Sequence, residues 1–149
     1  MKILVAIKQV AARDSLFAAS ADGKWIDESN LEYEINEPDA YALEEALQLR
    51  EAHGGEVVAL CAGPERVSAT IREALAKGAD RAIHICADDI ADWDTLATAK
   101  LLAAAVKTEA PDLVLTGLQS DDVGAGQAGV VMLVRANCAG VAAIFAPSP

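Results

Sequence analysis

The sequence predicts an α/β fold with a mostly parallel, doubly wound sheet, and three observations carry that expectation. Four short apolar runs rich in β-branched residues alternate with helical patterns along the chain, the order that produces βαβ units. The runs lack the strict polar alternation of a strand with one wet face, as expected where both faces are covered. Pro and Gly stand at the starts and ends of the intervening helical patterns, where helices tolerate or require them.

In chain order, Ile3-Leu4-Val5-Ala6-Ile7 is the first strand. Ala11 to Ile35 is too long for a plain strand-to-helix connection. It contains Asp22-Gly23, a turn signal flanked by segments able to extend, so a small hairpin excursion is expected near residues 14–34. Pro38 opens a helix carrying Leu43, Ala46 and Leu47 on one side, and Gly54-Gly55 ends it. Val57 to Cys61 is the second strand. Pro64 opens a helix spaced by Val67, Ile71, Ala74 and Leu75, ending before Gly78. Ala82 to Ile85 is the third strand. Asp92 or Asp94 caps a helix through Leu96, Ala99, Leu102 and Val106, closed by Pro111. Leu113 to Leu115 is the fourth strand, and Val130 to Val134 a further helical stretch. Right-handed crossovers place the loops after the strands along one edge, where open α/β folds bind ligands. There are no internal repeats, and the final "APSP" is expected to fray.

A length of 149 residues suits one domain, and 53% hydrophobic with 23% charged residues is globular rather than disordered. The net charge of −11 argues against a nucleic-acid partner and against adsorption to anionic membranes. Cys61, Cys86 and Cys138 share no metal-ligand spacing. Cys61 and Cys86 fit small buried hydrophobes, and the odd count suits a reducing compartment. "MKILVAIKQV" fits a core strand better than a signal peptide, and no apolar run reaches the roughly 18 residues of a membrane span. A soluble, cytoplasmic protein without membrane insertion is expected. His53 fits a solvated cation at a helix end, and His84 a packed or hydrogen-bonded strand residue. No nucleophile–His–acid or metal-ligand cluster emerges, so neither a catalytic residue nor a metal site is expected.

"TGLQSDDVGAGQAGV" contains Gly124-Ala125-Gly126-Gln127-Ala128-Gly129, a literal G-x-G-x-x-G. A dinucleotide fingerprint should leave the first strand at once and meet an acidic residue about 20 positions later. Here the motif follows the fourth strand, "LQSDD" intervenes, and that count runs to Pro149. The dinucleotide context is therefore absent. Two possibilities stay open on the residues alone. Gly124 and Gly126 can bring bare amides of a helix start against a phosphate, with Gln127 in the first turn. Alternatively, they shape a loop while Asp121 or Asp122 caps the helix, and those adjacent carboxylates would repel a phosphate. Asn36-Glu37-Pro38-Asp39 is first an ordinary helix start, with an Asn and an Asp able to reach an adenine or ribose.

Taken together, "MKILVAIKQV", "INEPDAYALEEALQLRE", "EVVALCAGP", "TIREALAKGADRAIHI", "APDLVLTGLQSDD" and "GQAG" resemble the β subunit of electron transfer flavoproteins, the FixA-type family, up to about Val131. The resemblance implies a domain 1–131 of the adenine nucleotide α-hydrolase-like, Rossmann-like fold. It implies AMP bound by this subunit, with FAD mainly on a partner α subunit; some relatives hold a second FAD in place of AMP. By position, AMP would meet Ala6, the loop Asn36, Glu37, Pro38 and Asp39, and Ala62. It would also meet Gly117, Gln119, Ser120, Asp121, Asp122, Val123, Gly124, Ala125, Gly126, Gln127 and Ala128. The implied role is an electron carrier without catalytic residues of its own, taking electrons from a flavin dehydrogenase and passing them to a quinone oxidoreductase.

Two departures from the family pattern stand out. Ala128 replaces a common Thr, removing one potential phosphate hydrogen bond worth about 1 kcal/mol. Residues 132–149, "MLVRANCAGVAAIFAPSP", do not resemble the family's continuation, so a divergent tail on a truncated product lacking the dehydrogenase-docking loop is expected, with exposed apolar Val141, Ile144 and Phe145. The alternative class is a stand-alone adenine-nucleotide module of universal-stress-protein type, although its late glycine-rich phosphate motif is missing.

Overall fold

The computed structural model describes residues 1–90, 93–136 and 141–144. Its elements run β1 (Lys2–Ala6), β2 (Gln9–Ala11), β3 (Tyr33–Ile35), α1 (Glu37–His53), β4 (Glu56–Gly63), α2 (Ser68–Lys77), β5 (Arg81–Cys86), α3 (Thr95–Glu109), β6 (Leu113–Gly117), α4 (Ala128–Ala136) and β7 (Val141–Ile144). The main sheet has the order β5-β4-β1-β6-β7, with every neighbouring pair parallel. The chain winds outward from β1 to β4 and β5, then returns to place β6 and β7 on the other side. The switch point therefore lies between β1 and β6.

Alternate residues of β1 face opposite layers, as the two-residue period of a strand requires. Ile3, Val5 and Ile7 pack with Leu43, Ala46 and Leu47 of α1 and Ala74 of α2. Leu4 and Ala6 pack with Ala103 and Val106 of α3 and Met132 and Ala136 of α4. This two-layer cover explains why β1, β4 and β6 read as uninterrupted apolar runs. Among the described residues, no helix is long and apolar enough to cross a membrane.

The expected punctuation holds with small differences. Pro38 sits in the first turn of α1, and Gly54, at φ +71°, donates its amide to the Arg50 carbonyl to end it. Pro64 leads into a 3-10 turn, Glu65–Val67, before α2. Leu75 of α2 is exposed, because its angular position lies at the margin of the stripe set by Thr70 and Ala74. The Asp94 carboxylate accepts from the Ala97 amide at 2.7 Å and caps α3; Asp92 lies outside the described residues. Ala110 ends α3 in the left-handed region at φ +46°.

The excursion is present. Ala19 bridges Ile26 in antiparallel fashion around Gly23, at φ +67°, and β2 pairs with β3 at the base. An element the sequence did not reveal is β7, whose backbone joins β6 with Val114 opposite Val141. Part of the segment expected to diverge is thus a strand of the main sheet; Phe145 lies outside the described residues.

Candidate functional site

The loops that follow β1 and β6 meet at the switch point, held together by two buried polar side chains from the start of α1. Asn36 is 1% exposed and Asp39 is 7% exposed. Asn36 Nδ2 donates to the Gln119 carbonyl at 2.9 Å, and its Oδ1 accepts from the Asp121 amide at 2.9 Å. Asp39 accepts from the Lys8 amide at 2.8 Å and from the Gly117 amide at 2.9 Å. Asn36 gives no side-chain cap to its own helix. Both side chains are thus engaged in fastening the β1 and β6 loops to α1, a role beyond an ordinary helix start. Burial pushes the Asp39 carboxyl up to about 6, against the opposing effect of hydrogen bonds from the Lys8 and Gly117 amides.

Close approach makes Gly117 necessary: a methyl there would lie 2.4 Å from Asp39 Oδ1 and 2.7 Å from the Pro38 carbonyl carbon. Beyond it, the chain turns through Ser120–Gly124, where the Gly124 amide donates to the Ser120 carbonyl at 2.8 Å. Gly124 and Gly126 adopt φ +66° and +62°, a region that L side chains rarely enter. Gly129 serves differently, since a methyl on it would come within 2.6 Å of Thr116 Oγ1. The motif's third glycine therefore lets the first turn of α4 pack onto the end of β6. Gln127 precedes α4 rather than sitting in its first turn, and its carbonyl accepts the first helical bond, from the Val131 amide at 3.0 Å.

The alternative in which Asp121 or Asp122 caps α4 is not what the structure contains. The Asp121 amide is held by Asn36, and its carboxylate lies 3.6 Å from Arg13 Nη2. Asp122 Oδ1 pairs with Lys8 Nζ at 2.6 Å. Burial works against the Asp122 carboxylate, yet hydrogen bonds from Lys8 and Ser120 together with the Lys8 charge bring it below the usual range. Arg13 also pairs with Glu37. Each carboxylate of "SDD" thus has a cation beside it, which reduces the repulsion an arriving phosphate would meet.

Thr116 completes the arrangement. It is 6% exposed, and its hydroxyl has no hydrogen-bond partner among the described residues. A buried unpartnered hydroxyl costs about 1–3 kcal/mol, and this one faces Gly129 in the first turn of a helix. Helix geometry leaves the first amides of α4 without intrahelical acceptors. The Thr116 hydroxyl thus stands next to a helix start, the kind of terminus whose free amides favour an anion.

Of the residues anticipated from sequence, Asn36 meets Gln119 and Asp121, Asp39 meets Gly117, and Glu37 and Asp121 both lie beside Arg13. Ala6 ends β1 beside them, buried. Ala62 lies within β4 rather than after it, opposite Ile85. Val123 is exposed. Lys8 and Thr116 were missed; Lys8 was visible as the cation breaking the first apolar run.

A second constellation lies along the same edge, after β4 and β5. Glu65, His84 and Cys86 each offer a ligand atom within 4.8 Å of the other two, contrary to the expectation of no metal-ligand cluster. His84 Nε2 is 3.0 Å from the Gly63 carbonyl oxygen. Cys61 is buried, and burial pushes its thiol up to about 12. Cys86 is exposed at the end of β5, not buried as its apolar neighbours suggested, because the helical layers do not cover that end of the edge strand. Cys138 lies outside the described residues.

A five-stranded parallel sheet covered by helices on both faces, with the β1 and β6 loops meeting at its switch point, defines a doubly wound α/β domain. The model of the electron transfer flavoprotein domain matches residues 24–142, and the chain belongs to that family, on the side of its β subunits and FixA proteins. It is 41% identical over 132 residues to the electron transfer flavoprotein subunit beta of Methylophilus methylotrophus, covering 87% of this chain and 50% of that one. It is 37% identical over 135 residues to the Bradyrhizobium diazoefficiens subunit beta, covering 89% and 53%. It is 46% identical over 100 residues to Protein FixA of Azorhizobium caulinodans, covering 64% and 36%. The chain spans about half the length of the subunit beta relatives it matches. The family match continues past Val131, where the quoted resemblance ended, to Ala142.

Proposed function

We propose that this chain supplies the nucleotide-binding half of an electron transfer flavoprotein β subunit and holds AMP at the β1/β6 crevice. The observation that carries the proposal is the buried, unpartnered Thr116 hydroxyl facing the first turn of α4. The phosphate accepts from that hydroxyl and from the bare amides of Ala128, Gly129 and Val130. Gly124 and Gly126 let the backbone approach closely, while Asn36 and Asp39 hold the two loops at a fixed separation. Lys8 and Arg13 neutralise Asp122 and Asp121, so the mouth of the crevice does not repel an anion. AMP itself supplies binding energy and rigidity rather than redox chemistry.

The electron-carrying role rests on the family and on the names of its members. In that role the chain works in a heterodimer with an FAD-binding α subunit, between a flavin dehydrogenase and a quinone oxidoreductase. The flavin held by the partner supplies the redox chemistry, and the residues described here position and rigidify the domain that docks against it. The chain is accordingly a carrier subunit rather than a catalyst.

Calorimetric titration with AMP tests the nucleotide site. One AMP per chain is expected, with affinity reduced about fivefold in Thr116→Val, the loss of roughly 1 kcal/mol for one hydrogen bond. Failure of AMP to bind both the chain alone and its mixture with an α subunit would refute the assignment. Equal binding by wild type and Thr116→Val would remove its carrying observation.

A further inference from the structure

We infer that Glu65, His84 and Cys86 form a binding site for a zinc-class divalent cation at the open end of β4 and β5. Their ligand atoms lie within 4.8 Å of one another. His84 and Cys86 belong to the edge strand β5, and Glu65 opens the 3-10 turn that follows β4. His84 and Cys86 stand two apart on β5 and so share a face, and Cys86 lies opposite Gly63, at the end of β4. Pro64 and the 3-10 turn starting at Glu65 then bring its carboxylate over that same end.

The donor set is an imidazole, a thiol and a carboxylate, each a donor type that zinc binds, and three protein ligands leave a tetrahedral ion its fourth position. Hard cations such as Mg²⁺ would not select the thiolate. A tetrahedral ion with ordinary Zn–N and Zn–S lengths needs donors about 3.6 Å apart. The exposed Glu65 and Cys86 side chains can close that remaining ångström by rotation.

With His84 Nε2 donating to the Gly63 carbonyl, the neutral ring carries its lone pair on Nδ1, the nitrogen left to meet a cation. Orientation of a ligand histidine by a backbone carbonyl is the usual support of a metal-bound imidazole. Glu65 also lines an open cleft with Glu28, Pro64, Arg66, Asp88 and Ile90, so the fourth position is reachable by water. Bound there, the ion would fasten the turn before α2 to the edge strand β5.

The test is titration of the reduced chain with Co²⁺, followed by displacement with Zn²⁺. The expected result is one Co²⁺ per chain with a thiolate-to-cobalt charge-transfer band in the near ultraviolet. Cys86→Ala should abolish the band, and Glu65→Gln should weaken binding by at least about tenfold. Cys138→Ala should leave both unchanged. Circular dichroism establishes that each variant is folded. Absence of the band in wild type, its survival in Cys86→Ala, its loss in Cys138→Ala, or affinity unchanged in Glu65→Gln would overturn the site.

Discussion

The two edges of the sheet handle polar groups in opposite ways. At the edge where the strands begin, charged side chains close on one another. Arg81 reaches both Glu56, at 2.5 Å, and Glu109, and these partners hold its guanidinium firmly in the charged form. Asp112 accepts from the Lys2 amide at 2.7 Å, and Asp80 accepts from the Val57 amide at 2.8 Å and from Arg50 at 3.1 Å. These contacts are exposed or half-exposed, and they knit consecutive elements together. At the edge where the strands end, exposed charges also pair, Lys8 with Asp122 and Arg13 with Glu37, but buried Asn36 and Asp39 fasten loops, and the Thr116 hydroxyl has no partner among the described residues. The first edge is closed by ion pairs and amide contacts, and the second is where the proposed nucleotide would add the missing partner.

The most damaging change should therefore fall at the second edge. Gly117→Ala forces a methyl against Asp39 and the Pro38 backbone, and should cost about 3 kcal/mol as overpacking. A urea unfolding midpoint close to wild type would show that the α1–β6 contact is looser than described.

Asp39→Asn comes next. Near pH 4 about 1–3 kcal/mol should be lost, because the Asn amide sets an N–H donor against the Lys8 or Gly117 amide where the carboxyl presents an oxygen to each. The variant also sharpens the comparison through pH. The Asp39 carboxyl is raised from 3.8 to about 6 in the fold, so the folded state binds the proton more tightly than the unfolded one. Its contribution is complete below pH 3.8 and is lost as pH rises through about 6. Wild type should exceed Asp39→Asn in stability most near pH 4, with the gap narrowing toward pH 7. Equilibrium unfolding of both proteins across that range checks the sign, and a gap that widens with pH would contradict it.

At the first edge, Arg81→Ala should cost only about 1 kcal/mol, because its ion pairs are partly solvated, and added salt should shrink the difference. A loss equal to that of Gly117→Ala would erase the contrast between the edges. The smallest expected effect is a gain: Ala110→Gly relieves a left-handed residue at the end of α3 and should raise stability by roughly 0.5–1 kcal/mol. Thermal unfolding of the pair measures it.

How much of this was legible follows from the distance over which each feature is encoded. The central strands were readable because burial on both faces writes a continuous apolar run, and α1 because Pro38 and Gly54 mark its ends. Gly124 and Gly126 announced positive φ by residue type alone. The functions of Asn36 and Asp39 were hidden, since their partners in the β6 loop lie about 80 residues away, in a loop joined to them only by the sheet order. Strand β7 was obscured by its shortness and by its place in a segment unlike the expected continuation. The cluster of Glu65, His84 and Cys86 has no compact motif, because it depends on the parallel register that sets Cys61 opposite His84 and Gly63 opposite Cys86. The His-x-Cys pair at the end of β5 was the available signal.

The central claim is that the crevice between β1 and β6 is completed by an adenine mononucleotide. Backbone amide NMR of the ¹⁵N-labelled chain during titration with AMP tests it most directly, since both edges are observed in one experiment. The account predicts saturating shifts of the Thr116, Gly117 and Gly124–Val130 amides, with the amides of Lys2, Val57 and Arg81 unmoved. Shifts confined to the opposite edge, or no saturating shift when an α subunit is also present, would contradict it.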